Sequence, residues 1–321
     1  MAYVLEFEKP IANLRQKIDE LKSISNDAPV DLQSEIKKLE QKLKEVRKHT
    51  YASLTPWQRV QIARHPARPY TLDYIEYLFD DFRQFYGDRA FADDKAMICG
   101  FGHIGTQKYL LVGHQKGRDA KENVFRNFGS AHPEGYRKAM RMMAMAAKFG
   151  IPIIALVDTP GAYPGVGAEE RGQANMIALN LREMVGLEVP ILVFVIGEGG
   201  SGGALGIGVG DRIAVLENAY YSVISPEGCA AILWKDNKRA SDAAAALKLT
   251  SSDLLDLKVI DAMVKEPMGG AHLDHKATAE ELKKTILKFM SELSSKSPRQ
   301  LVEERYQKYR RMGEVTEVQI P

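Results

Sequence analysis

The chain has 321 residues, 45% hydrophobic and 27% charged, with a formal net charge of +2. Such a profile belongs to a soluble globular protein with one large core plus appendages. It excludes nucleic acid as the main partner, because a surface that neutralises phosphates is strongly basic. The two cysteines, Cys99 and Cys229, stand far apart among apolar neighbours; buried thiols are expected, with no disulfide framework and no zinc motif. No apolar run reaches the ~20 residues of a membrane helix. The start, MAYVLEFEKP, lacks the basic and apolar regions of a signal peptide, so a cytoplasmic, reduced protein is expected.

Phe7, Ile11, Leu14, Ile18 and Leu21 are spaced 4, 3, 4, 3, and Leu32, Ile36, Leu39, Leu43 and Val46 follow the same rhythm. Each set predicts one apolar helical stripe. Pro29 and an Asp31 N-cap between them predict an antiparallel hairpin over residues 1–50. Either a partner subunit or the chain's own domain could cover it. Thr55, Pro56 and Gln58 form a helix start. AMICGFGHI and KYLLVGHQ read as a strand pair, and Pro133 to Gly150 as a helix whose methionines fill core. IPIIALVDTPGAYPG reads as a buried strand into a turn, and AEERGQANMIALNLREMVGL as one helix. AYYSVISPEGCAAILW predicts a short strand and a helix begun by Ser225 and Pro226, and two helical pieces and a short strand follow over SDAAAALKLTSSDLLDLKVIDAMVKEP. The C-terminal part, residues 296–321, reads as a charged helix and tail.

Two segments resemble one another. PIIALVDTPGAYPG and PILVFVIGEGGSGG both run from proline through apolar residues to a glycine-rich turn, starting 38 residues apart at Pro152 and Pro190. Repeated units of this kind predict a layered α/β core with its functional turns at one end.

The second turn contains Gly197-x-Gly199-x-x-Gly202, a literal dinucleotide-binding fingerprint. That reading fails on length. Only nine residues, Gly203 to Asp211, precede the next strand, and Gly206, Gly208 and Gly210 disfavour a crossover helix there. No Gly-Lys-Ser/Thr follows, which removes a phosphate-binding P-loop. Six glycines from Gly197 to Gly206 leave backbone N–H groups unshielded at the start of a short helix. Such donors can hold an oxyanion on a former carbonyl. Close backbone packing is the alternative. Ser201 has no base at a recognisable spacing, so a serine hydrolase is not expected.

RHPARPYTLDYIEYLFDDF, GDRAFADDKAM, GHQKGRD, RNFGSAHPEGYRKAMR, DTPGAYPGVGAEERGQ, GEGGSGGALGIGVGD and YYSVISPEGCAAILWK together resemble the α subunits of bacterial acetyl-CoA carboxylase carboxyltransferase, from about Phe7 to Gly270. The resemblance implies an α/β, crotonase-type (ClpP/crotonase) superhelix of strand-strand-helix units over residues 51–295, carrying the N-terminal hairpin. It also implies transfer of a carboxyl group from carboxybiotin on a carrier protein to acetyl-CoA, giving malonyl-CoA for fatty acid synthesis. Implied partners are a β subunit in an α2β2 assembly, the biotin carboxyl carrier protein and biotin carboxylase, within an ATP-dependent complex. Zinc and most CoA contacts are implied for the β subunit, with no metal in this chain.

By the same resemblance, Gly202 and Gly203 match the amide pair facing the biotin ureido oxygen, with Gly199, Gly200 and Ala204 beside them. Gly161, Ala162 and Tyr163 would line the biotin pocket. Lys116, Arg118 and Arg126 are candidates for CoA phosphate or subunit contacts. Asp158 is not expected to act as a base, nor the Glu169–Glu170 pair as an acid–base couple. His114 is expected as a hydrogen-bonded core histidine. A stand-alone acyl-CoA enzyme of the same fold and a non-catalytic scaffold are the competing functions.

Overall fold

A computed structural model describes residues 3–27 and 32–313. Pro29 and Asp31, and the tail from residue 314, lie outside the described residues. Helices α1 (Lys9–Asp27) and α2 (Gln33–Ala52) lie side by side, with Lys22 Nζ 2.7 Å from Glu40 Oε1. Their stripes bury Ile11, Ile18 and Ile36. Tyr51 Oη, in the last turn of α2, donates to Glu8 just before α1 at 2.6 Å and closes the pair at its root, and Arg47 ties it to the rest of the chain by donating to the Met268 carbonyl at 2.9 Å.

Helix α3 (Pro56–Ala63) starts with the expected reciprocal cap, Gln58 N donating to Thr55 Oγ1 at 3.2 Å and Thr55 N to Gln58 Oε1 at 2.8 Å. After α4 (Thr71–Leu78), strands β1 (Arg83–Phe85), β2 (Met97–Ile104) and β3 (Gln107–His114) form an antiparallel meander. Helices α5 (Ala120–Phe125) and α6 (Pro133–Lys148) follow, and α6 buries Met142 and Met143 in the core. The glycine-rich region then runs β4 (Ile153–Thr159), α7 (Val166–Glu170), α8 (Gln173–Val185), β5 (Ile191–Gly200), α9 (Ser201–Leu205), β6 (Arg212–Leu216) and β7 (Tyr220–Ser222). Helices α10 (Pro226–Trp234), α11 (Ala240–Ala246) and α12 (Ser251–Asp256), strand β8 (Ala262–Val264), and helices α13 (His275–Leu293) and α14 (Pro298–Arg310) complete the described chain.

The strands form one sheet in the order β1-β2-β3-β4-β5-β6-β8, with β7 pairing the end of β5. From β3 onward every pairing is parallel. Fully buried apolar residues fill β4 and β5, as expected for parallel strands covered on both faces. The 38-residue offset is the register itself: Ile153 pairs with Ile191, and Val157 with Val195. Beyond Val157 the register shifts, and Thr159 pairs with Gly199. The extra length in β5 is a bulge just before the glycine-rich turn.

Several elements differ from the sequence reading, and α4, β1 and α5 have no counterpart in it. The helix expected over AEERGQANMIALNLREMVGL is two helices, because Gly172 sits at φ 80° between them. Helix α13, which has no counterpart in the sequence reading, buries Leu282, Ile286 and Phe289 in the main core.

Candidate active site

Because β4 and β5 are parallel neighbours, their C-terminal turns meet, the arrangement in which α/β sheets place ligands. The contact is backbone on backbone. A side chain on Gly200 would lie 2.2 Å from the Pro160 carbonyl oxygen, and one on Gly203 would lie 2.4 Å from Ala162 N and 2.5 Å from Gly161 C. Gly199 is pressed against Tyr221 in the same way, at 2.8 Å. Close packing therefore accounts for these three glycines. The side-chain position of Gly203 faces the 161–162 turn and not open space. Gly202 does face open space, since a Cβ there would meet only Ile177, at 3.6 Å.

The reversal from β5 into α9 is made at Ser201, whose φ of 50° is a conformation side-chain-bearing residues rarely adopt. No side chain caps α9. The first-turn amides, Gly202 and Gly203 included, have no acceptor within the helix and carry its positive end. Beside them opens an apolar cavity of about 620 Å³, lined by Ser201, Gly202, Leu205, Leu181, Tyr221 and Val223 among others. On the facing turn Tyr163 stacks on His132 with ring centroids 4.0 Å apart, and Tyr163 N donates to the Ala131 carbonyl at 3.0 Å.

Directly beneath the two turns lies a buried charge network. Lys116 Nζ reaches Asp158 Oδ1 at 2.6 Å and Glu198 Oε2 at 2.7 Å. Asp158 Oδ1 also accepts from Glu198 N at 2.9 Å, which ties the end of β4 to the bulge in β5. Glu198 Oε1 accepts from Arg64 at 2.7 Å and from Tyr220 Oη at 2.7 Å. Burial alone would raise the Glu198 carboxyl, but Lys116 and Arg64 reverse this and hold it at about 2. Burial likewise opposes the charge on Lys116, and its two carboxylate partners more than compensate. A second pair, Arg68 and Glu266, is wholly buried nearby, with Arg68 Nε donating to the Ile196 carbonyl at 2.6 Å.

The acetyl co-enzyme A carboxylase carboxyltransferase-like family model matches residues 4–313 of this chain. The chain belongs to this family. It is 56% identical to the acetyl-coenzyme A carboxylase carboxyl transferase subunit alpha of Geobacter metallireducens, over 98% of this chain and 99% of that protein. It is also 56% identical to the protein of the same description from Thermus thermophilus, again over 98% and 99% of the two chains. Among solved structures, the transcarboxylase 12S core superposes with a TM-score of 0.58 at 17% identity, covering 71% of this chain and 42% of that one. The carboxyltransferase-type crotonase fold expected from the sequence is thus the observed one.

Within the carboxyltransferase fold, the basic cluster lies differently from expectation. Lys116 is buried and shared between two carboxylates, so it is not free for a CoA phosphate. Arg118 stacks over Tyr70 at 4.1 Å and donates to the carbonyls of Pro66 and Arg68 and to Asp73. Arg126 donates to the Lys95 carbonyl at 3.0 Å. Their guanidinium groups brace loops around the site. Asp158 Oδ1 is ion-paired with Lys116, and Glu169 and Glu170 are exposed in the short helix α7. His114 is fully buried and held neutral at about 3, by burial first and Lys116 second. Its ring faces the Gly203 backbone, outside strict hydrogen-bond geometry for either nitrogen. Both cysteines are buried and free. Among the described residues no group of three or more His, Cys, Asp or Glu could hold a metal ion, and no helix is long and apolar enough to cross a membrane.

Sequence reasoning missed Glu198 and Arg64, the centre of the network. Glu198 is a lone charge in an apolar, glycine-rich segment and Arg64 one of three arginines in its own, and only tertiary pairing joins positions 64, 116, 158, 198 and 220.

Proposed function

We propose that this chain acts as the α subunit of an acetyl-CoA carboxylase carboxyltransferase, moving the carboxyl group of carboxybiotin, presented by a carrier protein, to acetyl-CoA to give malonyl-CoA. The near-complete match to α-subunit relatives at 56% identity carries this reading. The geometry of the β4 and β5 turns supports a location for the chemistry. The donor releases its carboxyl group most readily when charge on its ureido oxygen is stabilised. In this chain the N–H groups of Gly202 and Gly203 are suited to that role, with Ala204 N–H next in line. The Gly199–Gly200 backbone sets their height. Gly161, Ala162 and Tyr163 form the opposite wall, and the apolar cavity beside Gly202 keeps water from the donors.

One such turn serves one oxyanion. The acetyl thioester enolate is a second, so its donors are assigned to a β subunit of similar fold, which would also hold the zinc and most CoA contacts. The hairpin over residues 1–50 is assigned to contact with that subunit. The carrier protein and biotin carboxylase complete the proposed cytoplasmic assembly.

The test measures malonyl-CoA formation from acetyl-CoA and a carboxybiotin donor, by this chain alone and with the β subunit. Activity only in the reconstituted complex is expected. Full activity of the isolated chain would instead favour a stand-alone acyl-CoA enzyme.

A further inference from the structure

Helix α9 is too short to hold itself. It spans five residues, two of them glycine, which is among the poorest helix formers. Its carbonyl side is instead fastened from below by two fully buried polar side chains. Tyr136 Oη, from α6, donates to the Gly203 carbonyl at 3.1 Å. Asn180 Nδ2, from α8, donates both to the Gly206 carbonyl at 2.9 Å and to the Tyr136 carbonyl at 3.0 Å. The Tyr136 ring also fills the space over Gly206, where a Cβ would stand 2.5 Å from it.

Both side chains satisfy carbonyls that would otherwise be buried without a donor, so removing either costs stability as well as position. Asn180 Oδ1 is buried with no hydrogen-bond partner, which costs free energy without benefit to its neighbours. What the pair also provides is position. The Gly203 carbonyl and the Ala204 N–H belong to one peptide plane, so a bond to the former orients the latter. Asn180 fixes the far end, and Gly161–Ala162 presses on the near end.

We propose that Tyr136 and Asn180 are positioning residues for carboxyl transfer: they hold the α9 peptide planes so that the first-turn amides meet the oxyanion. This rests on the proposed role of those amides. A displacement of about 1 Å in such a site costs on the order of 100-fold in rate.

The experiment uses Tyr136→Phe and Asn180→Leu in the complex with the β subunit. The control is Ile286→Val, a core change in α13 remote from α9. Steady-state kinetics, a thermal melt and hydrogen exchange of the 206–208 amides, which bond back to the carbonyls of α9, are measured together. Expected for Tyr136→Phe is a fall in kcat of about 10- to 100-fold, KM for acetyl-CoA within about twofold, and faster exchange confined to these amides. The control should lose comparable stability and keep its kcat. Unchanged exchange at these amides, or a kcat loss no larger than the control's, overturns the clamp. Faster exchange with normal kcat keeps the clamp as a structural fact but overturns its catalytic role, while the assignment of the first-turn amides themselves stands or falls on turnover in Gly202→Leu.

Discussion

Gly202 and Gly203 are adjacent and chemically identical, yet a methyl group would meet different surroundings at each. On Gly203 it would stand 2.4 Å from Ala162 N and 2.5 Å from Gly161 C, so the two turns must part by about 1 Å to reach ordinary contact. Backbone cannot swing aside as a flexible side chain does. Overpacking of this kind costs ~1–3 kcal/mol. In a chain of this size each kcal/mol lowers Tm by roughly 1.5 °C. The same 1 Å displaces the amides and lowers transfer by on the order of 100-fold. On Gly202 the methyl would sit 3.6 Å from Ile177 Cδ1, an ordinary contact. Gly202→Ala should therefore melt at or slightly above the wild-type temperature, since alanine recovers up to about 1 kcal/mol of helix propensity. Gly202→Leu should also fold, but its side chain occupies the open face and should abolish transfer. The assay pairs a melt with carboxyl transfer in the reconstituted complex. If Gly203→Ala melts and turns over like wild type, or if Gly202→Leu keeps full turnover, the assignment of faces is wrong.

Lys116→Met leaves Asp158 and Glu198 buried without their shared cation and should cost ~3–5 kcal/mol in a denaturant melt, whereas a phosphate-binding role would have left stability unchanged. Glu198 is held at about 2 against an ordinary 4.5, so its contribution is complete above about pH 4.5 and is lost as pH falls toward 2; urea midpoints across that window should fall in wild type and flatten in Glu198→Gln. His114 is held neutral at about 3 against an ordinary 6.5, so the unfolded chain takes up its proton first and stability falls between pH 6.5 and 3. His114→Leu should reduce that slope by about 1.4 kcal/mol per pH unit at most, and an unchanged slope would place the titration elsewhere. Deleting residues before Thr50 removes Glu8 from Tyr51 and Arg47 from Met268, so the melt should fall modestly while assembly with the β subunit weakens by about tenfold or more. Unchanged assembly on gel filtration would leave the hairpin a purely internal element.

The sequence by itself determined the repeat and where its turns lie. Pro152 and Pro190 start matching apolar runs, and parallel pairing at the same offset puts Ile153 beside Ile191. It also determined the hairpin stripes, the Thr55 cap and, through several long motifs, the family. These are local or periodic signals, and spacing along the chain records them. What each glycine faces was not legible, because a glycine in a turn reads alike whether it clears space for a ligand or for another backbone. Only the meeting of the β4 and β5 turns decides that Gly203 serves the second and that Gly202 remains open. The fate of charged residues was hidden for the same reason. Lys116 reads as part of a solvated basic loop until Asp158 and Glu198 arrive from other strands. Arg305 reads as one cation in a charged terminal helix. In the fold it is fully buried, paired with Asp211 at 2.8 Å, and donates to the carbonyls that end α8 and lead into β5. Charge and polarity are properties of a residue, but burial and pairing belong to contacts between distant segments, and those exist only once the chain has folded.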